Sequence, residues 1–584
     1  MLKFGNFRLY TLLIVLVLVA GGIAARLFSL QIVRHSFYTA LAKNQHEVLK
    51  ELVPRRGEIF IQEKGGFWHP LAVNRVFQTV FLVPKEVKDK NAVAESLAPL
   101  VDIPVEKILA KLKDPQDPYE PLKSKLEDAT AAKIKNLNLP GVRLTPEEWR
   151  WYPQGNLAAN VLGFVGLKDN AKAGQYGLEQ YYQDDLAGQS GLLNSGKDAV
   201  GNWLLVGDYN LEPAEDGSSL YLTLDQNIQY VVEQKMKMLV ERWQATGACA
   251  IVMEPKTGAI RAMVSLPDFD PNEYQKTKNA DFFMNSCVQK LYEPGSVFKP
   301  VVMAAGLDTG KISPETTYID AGILQIGGYT IQNAQNKTYG LSTMTNVLEK
   351  SINTGAVFVQ RLIGGEVFKN YIEAFGFDEP TGIDLVGETR GDLKNIRENR
   401  EINFATAAFG QGISVTPLEM ASAIAAIAND GLLRRPYIVE KIVQSDGQEQ
   451  IIQPQARRQV VAPANAGKLT AMLVSAVRNG YDKVKLPGYF VAGKTGTAQI
   501  AVGRGYSVDD TNHSFAGYAP AYNPKFLIFL RLEKPRGIQF ASESLAPVFT
   551  DMARYLFNYY EILPEEYISL GHRPRKTAVG YEYQ

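Results

Sequence analysis

Cysteine is nearly absent from this 584-residue chain: only Cys249 and Cys287 occur, with five histidines scattered along the length. No Cys/His cluster has metal-ligand spacing, so no metal is expected. Nothing resembles a cysteine-stapled framework either, and the two residues are expected to be buried free thiols. Net charge is zero, with 62 basic and 62 acidic side chains. The basic surplus that marks a nucleic-acid footprint is therefore missing. Fixed-period repeats are absent too. What remains is an ordinary folded composition, 46% hydrophobic and 21% charged. The length exceeds one compact core, and two or more domains are expected.

The segment GYFVAGKT, residues 488–495, matches G-x-x-x-x-G-K-[ST] letter for letter. A phosphate-binding loop needs a buried strand before the first glycine and a helix after the lysine. Here KVKLP precedes Gly488, the strand formers Tyr-Phe-Val-Ala fill the loop, and TAQI follows Gly496. The match is formal, and no nucleotide or other cofactor is expected.

One long uncharged run exists, LYTLLIVLVLVAGGIAA from Leu9 to Ala25. Extended through RLFSLQIV it approaches the roughly 20 apolar residues that span a bilayer. A transmembrane anchor is expected over 9–33. Lys3 and Arg8 lie in a short cytoplasmic stretch, 1–8, on the side favoured for positive charge. A cleaved signal peptide, with small residues near Gly22 and Ala24, is the alternative.

Beyond the anchor, residues 34–215 read as a mixed α/β region. Phe77 to Val83 is strand-like, and Asn91 to Leu139 is charged and helical. PAEDGSS, Pro213 to Ser219, is the linker candidate. In the second block, 216–560, Asp225 is placed to cap a long amphipathic helix. ACAIVMEPKTGAIRAMVS reads as a hairpin and TPLEMASAIAAIAND as a helix closed by Gly431. Strand signals return in YFVAGKTGTAQI and FAGYAPAYNPKFLIFLRLE. The expected architecture is multidomain α+β, its second block an antiparallel sheet covered by helices. Residues 561–584 form a tail.

Three short elements carry chemistry. Ser296 and Lys299 in YEPGSVFKP form the sole Ser-x-x-Lys pair. A serine hydroxyl needs a base, and i,i+3 spacing brings the lysine amine to its face. That lysine must be neutral, which burial or a second cation would favour. Pro300 fits only where backbone N–H groups lack intrahelical partners. Ser351 and Asn353 in EKSINTGAV place a hydroxyl and an amide together, suited to relaying a proton and holding a substrate amide. Lys494-Thr495-Gly496-Thr497 lies in an extended segment whose edge is free to pair with a peptide and meet its carboxylate. Gly496 would admit close approach of substrate. The other Lys-Thr-Gly, Lys256 to Gly258, follows Pro255 and reads as a hairpin turn.

In this order the three elements resemble those of class B penicillin-binding proteins, membrane-anchored peptidoglycan D,D-transpeptidases. ARLFSLQ and PRRGEIF resemble the family's juxtamembrane start. RWYPQGNLAANVLGFVG and GLEQYYQDDLAGQSG resemble its non-catalytic pedestal or dimerisation domain, and LTLDQNIQ through AGKTGTAQ its transpeptidase domain, which is serine β-lactamase-like in fold. FASESLAPVFTDMARYLFNYYEILP favours the division-specific, FtsI-like branch. Ile352 replaces the aspartate of Ser-Asp-Asn, giving the Ser-x-Asn form common in the family. Two departures stand out. RGEIFIQEKGG lacks the aspartate and arginine of the usual continuation, and no bifunctional glycosyltransferase region precedes the pedestal, so strand polymerisation is expected to require a partner.

The resemblance implies acyl transfer through Ser296 with Lys299 as base, and Ser351 and Lys494 shuttling the proton to the leaving amine. Asn353 would orient the peptide amide, and Thr495 and Thr497, beside Gly496, would hold the carboxylate. Backbone N–H groups of Ser296 and Thr497 would form the oxyanion hole. The implied partners are stem peptides on lipid II-derived glycan strands, β-lactams, a membrane glycosyltransferase of the FtsW/SEDS type and other division proteins. The implied location is the bacterial cytoplasmic membrane at the septum, with a single pass and an extracytoplasmic catalytic domain. An elongation-type transpeptidase, a division scaffold, or a β-lactamase or β-lactam sensor using Glu398 or Glu401 to activate water are the alternatives.

Overall fold

The computed structural model describes residues 16–18, 20, 47–168, 171–196, 210–503 and 505–565. Apart from Leu16, Val17, Leu18 and Ala20, the expected anchor over 9–33 lies outside the described residues, as does most of the tail. Among the described residues no helix is long and apolar enough to cross a membrane.

The chain divides into two compact units. The smaller, Met1–Arg56 with Ala187–Gly217, contains a three-stranded antiparallel sheet of Glu47–Leu52, Gly191–Gly196 and Asn210–Glu212. Within it Asp216 Oδ1 accepts from the Arg55 backbone N–H at 2.8 Å.

The larger unit, Gly57–Leu186 with Ser218–Gln584, holds the rest. Its first segment builds on the long strand Trp68–Leu82, which pairs with Ile59–Gln62, Glu120–Leu126 and Val142–Trp151. Val80, Leu82, Leu97, Ile108, Leu126 and Ile134 form a core here. The strand Glu120–Leu126 interrupts the stretch expected to be helical, because Leu122 and Leu126 are buried where it pairs with the long strand. Ser219–Asp225 pairs in parallel with Ile59–Gln62 and antiparallel with Val439–Val443. One sheet thus runs across the expected linker.

The second segment centres on a five-stranded antiparallel sheet of β1 (Gly247–Met253), β2 (Ile260–Leu266), β3 (Ala492–Val502), β4 (Gly505–Ala519) and β5 (Phe526–Glu533). Its order is β2-β1-β5-β4-β3. All of β1 is buried, and β5 is buried up to its last residue. The apolar runs Ala248–Met253 and Phe526–Leu530 reflect strands covered on both faces. The covering helices include α1 (Gln226–Trp243), α4 (Pro417–Ala428) and α6 (Ala541–Tyr559), while α2 (Lys299–Asp308), α3 (Asn353–Ile363) and α5 (Pro463–Gly480) pack around α4 or one another. Asp225 caps α1, accepting from the N–H groups of Asn227 and Ile228 at 3.0 Å. Thr416 and Glu419 form a capping box on the wholly buried α4, and Gly431 N–H returns to Ala426 O at 2.8 Å beyond its end. The Lys256–Gly258 copy is the turn between β1 and β2, with Gly258 at φ +86°.

The structure corrects the reading of two free thiols. Cys249 on β1 and Cys287 form a disulfide spanning 38 residues of sequence, with Cα atoms 5.5 Å apart. The short helix Ser286–Gln289 lies against β1 and β2, held by Ser286 Oγ and Ser265 Oγ 2.9 Å apart. Tertiary packing, not sequence spacing, brings Cys287 to Cys249.

Candidate active site

The turn carrying Ser296 begins where Gly295 N–H donates to Gly410 O at 2.9 Å. Gly295–Phe298 is a 3-10 turn that passes directly into α2, with Pro300 in that helix's first turn. The Lys299 N–H donates to Ser296 O, and in a 3-10 turn positions i and i+3 eclipse. Ser296 and Lys299 are therefore stacked. Between Pro294 and Pro300 every residue is buried except the half-buried Ser296. The hydroxyl is reachable while Lys299, 0% exposed, is sealed beneath.

Ser351 joins the helix Met344–Glu349 to α3 and takes φ +55°. That left-handed conformation is uncommon for a serine and places strain at the site. It also aims both the carbonyl and the hydroxyl at the lysines. Lys299 Nζ donates to Ser351 O at 2.6 Å and Asn353 Oδ1 at 2.8 Å, and lies 3.2 Å from Ser351 Oγ. Lys494 Nζ donates to the same Ser351 Oγ at 3.0 Å. Burial, then the neighbouring Lys494 ammonium, holds the Lys299 amine well below its ordinary pKa. A neutral amine has two N–H donors and one lone pair. The two shortest contacts use both donors, and the lone pair is left to accept a proton.

β3 presents Lys494 from an edge, since among the described residues its sole sheet neighbour is β4. The open edge expected for peptide pairing is present. Gly488, at φ +85°, sits in a turn, and Lys494 lies inside the strand with no helix after it. The phosphate-loop geometry is absent there. Gly496 is tightly packed in the direction a side chain would take. A Cβ there would meet Ser514 Oγ at 2.4 Å, Pro294 O at 2.7 Å and Val297 N at 3.1 Å. On that side Ser514 of the neighbouring strand and the turn carrying Ser296 pack against the glycine. Gly295 reciprocates, with Thr497 O 3.3 Å from its ideal Cβ position. The expected oxyanion donors, the N–H groups of Ser296 and Thr497, thus come from adjoining backbone.

Thr497 is half-buried, and its Oγ1 accepts from Ala541 N–H at 3.1 Å, leaving its proton free to donate outward. Thr495 is turned inward, its Oγ1 donating to Tyr481 Oη at 3.0 Å. Tyr481 also accepts from Lys494 Nζ at 2.7 Å. Sequence reading missed this tyrosine, which no motif contains. It missed Asn333 as well, whose Oδ1 accepts from the N–H groups of Asn353 and Thr354 at 3.0 and 3.2 Å and caps α3 from a distant loop. Asp320 holds Asn333 Nδ2 at 3.0 Å. Glu398 and Glu401 instead engage Asn403 and Arg361.

A buried lysine pair sharing one serine hydroxyl, below a reachable serine and beside an open strand edge, is arranged for acyl transfer. Residues 248–554 match the family model described as penicillin binding protein transpeptidase domain. The chain belongs to this penicillin-binding transpeptidase family. Residues 51–222 match a penicillin-binding protein dimerisation domain. Among its relatives, the chain is 33% identical to stage V sporulation protein D of Bacillus subtilis, over 99% of this chain and 88% of that protein. It is 30% identical to a probable peptidoglycan D,D-transpeptidase PenA of Neisseria meningitidis, over 91% of this chain and 88% of that protein. Penicillin binding protein 3 from Mycobacterium tuberculosis, complexed with aztreonam, matches with TM-score 0.67 at 27% identity, covering 88% of this chain and 99% of that one.

Proposed function

We propose that this family member is a peptidoglycan D,D-transpeptidase acting through an acyl-enzyme on Ser296. The observation that carries the reading is the Lys299–Ser351–Lys494 cluster, two buried lysines meeting one half-buried hydroxyl, next to the half-buried Ser296. Ser296 Oγ attacks the D-Ala-D-Ala carbonyl of a stem peptide while the Lys299 lone pair takes its proton. The peptide C–N bond breaks, and Ser351, held by Lys494, hands its proton to the departing D-Ala amine and takes the Lys299 proton in its place, which leaves Lys299 neutral again. An amine from a second stem peptide then attacks the ester. Its proton returns to Ser296 Oγ through Lys299, and the cross-link is closed. Asn353 orients the donor amide and Thr497 its carboxylate, while Thr495 and Gly496 shape the strand beneath. The N–H groups of Ser296 and Thr497 stabilise the oxyanion, where loss of one donor typically costs about 10²–10³ in rate. β-Lactams mimic the donor and acylate the same serine.

The same reading places the catalytic region outside the cytoplasm, tethered by the apolar run from Leu9 to Ala25 at a bacterial division septum. A disulfide, which persists in oxidising compartments, supports that side of the membrane. Glycan polymerisation falls to an FtsW/SEDS-type membrane partner. The proposed domains are the anchor at 9–33, a pedestal at 34–215 and the transpeptidase domain at 216–560.

The test uses the full chain, a donor peptide ending in D-Ala-D-Ala and a D-amino acid acceptor. Mass spectrometry should find exchange product exceeding hydrolysis product. Hydrolysis alone would move the assignment to a carboxypeptidase or β-lactamase.

A further inference from the structure

Tyr481 is the first residue beyond α5, its N–H reaching Val477 O at 3.3 Å, and it is 7% exposed. Its hydroxyl oxygen serves two successive residues of β3, accepting from Lys494 Nζ at 2.7 Å and Thr495 Oγ1 at 3.0 Å. A protonated lysine has three N–H donors. Lys494 meets three acceptors: Ser351 Oγ at 3.0 Å, Tyr481 Oη at 2.7 Å and Thr495 O at 3.2 Å. The tyrosine contact is the shortest of these, and Lys494 is 1% exposed, so water does not replace it.

The end of α5 that carries Tyr481 is also fastened to the Ser351 loop. Ser475 Oγ and Asn479 Nδ2 donate to Glu349 Oε1 at 2.6 and 2.8 Å, two residues before Ser351. Burial works against the Glu349 carboxylate, but these donors and the Asn346 amide outweigh it and hold the group below its ordinary pKa. Gly480 lies so close that a Cβ there would stand 2.5 Å from Glu349 O. A single helix end therefore sets both the Ser351 hydroxyl and the acceptor that aims Lys494 at it.

We propose that Tyr481 is a positioning residue for acyl transfer, holding the Lys494 ammonium against Ser351 and committing the Thr495 hydroxyl inward, so that Thr497 alone of the two threonines donates to the substrate carboxylate. This rests on the transpeptidase reading above. Tyr481→Phe keeps the ring and removes the double acceptor.

The experiment measures acylation of the full chain by a fluorescent penicillin, separating non-covalent affinity from the acylation rate constant. Tyr518→Phe serves as the control, because Tyr518 is 0% exposed and its hydroxyl pairs with Thr470 at 2.8 Å, away from the lysines. Tyr481→Phe should lower the rate constant by about 10- to 100-fold with affinity little changed. Tyr518→Phe should lose thermal stability with the rate constant intact. Equal rate constants in Tyr481→Phe and wild type, equal losses in both variants, or a loss confined to affinity would overturn the proposal. Should Tyr481→Phe fail to fold, Glu349→Gln, which loosens the clamp without touching Lys494, carries the test. A fall in the same rate constant supports the proposal, and an unchanged constant refutes it. Wild type that fails to acylate at all would instead refute the transpeptidase reading.

Discussion

Replacing Lys299 with methionine should slow acylation of Ser296 by about 10²–10⁴-fold, the range general-base catalysis supplies. Methionine fills nearly the same buried volume, so the domain should stay folded. What disappears is the lone pair stacked beneath the serine, together with the donors to Ser351 O and Asn353 Oδ1. Lys299→Arg should fail equally, because a guanidinium stays protonated and cannot accept the hydroxyl proton. The pH dependence carries a definite sign. Burial and Lys494 lower the Lys299 pKa, so acylation should extend to lower pH than an ordinary lysine base would allow and decline as pH falls through the lowered value. Stability follows the same direction. Between that value and 10.5 the unfolded chain binds the proton and the native chain does not, so this residue's contribution rises with pH. Stopped-flow acylation across pH, in wild type and Lys299→Met, checks each of these outcomes.

Removing the disulfide should be the largest single loss of stability outside the site. Cys249 and Cys287 close a loop of 38 residues in sequence. Cross-links of this span typically contribute about 2–4 kcal/mol by restricting the unfolded chain. Both cysteines are 0% exposed, so water cannot fill the space left by smaller side chains. The double variant Cys249→Ala, Cys287→Ala should unfold at clearly lower denaturant concentration than the oxidised wild type. Its acylation rate, measured well below the transition, should stay near normal, because Gly410 and the Tyr292–Val415 backbone pair hold the nucleophile turn independently. An unchanged unfolding midpoint would show that the link adds nothing.

The parts of the site that sequence made legible are those written in short range. Ser296 and Lys299 stack because three residues separate them within one turn. Lys494 shows as a strand residue because Tyr-Phe-Val-Ala precedes it and Thr-Ala-Gln-Ile follows. The helix cap at Asp225 and the helix end at Gly431 were equally readable. Contacts assembled across the fold were not. Tyr481 is a lone tyrosine after a glycine until α5 brings it to β3, and Asn333 caps α3 from a loop 20 residues upstream. Cys249 and Cys287 lack any framework spacing, yet the packing of a short helix joins them. The close packing of Pro294 O and Val297 N on the Cβ side of Gly496 is also visible only in the folded chain. The strand Ser219–Asp225 likewise gave no sign that it would pair with Ile59–Gln62.

The most direct measurement is the intact mass of the purified full chain after incubation with a penicillin, alongside Ser296→Ala. The account predicts one covalent adduct on wild type, localised by peptide mapping to the segment containing Ser296, and none on the variant. An unmodified wild-type mass, or an adduct that survives Ser296→Ala, would contradict it.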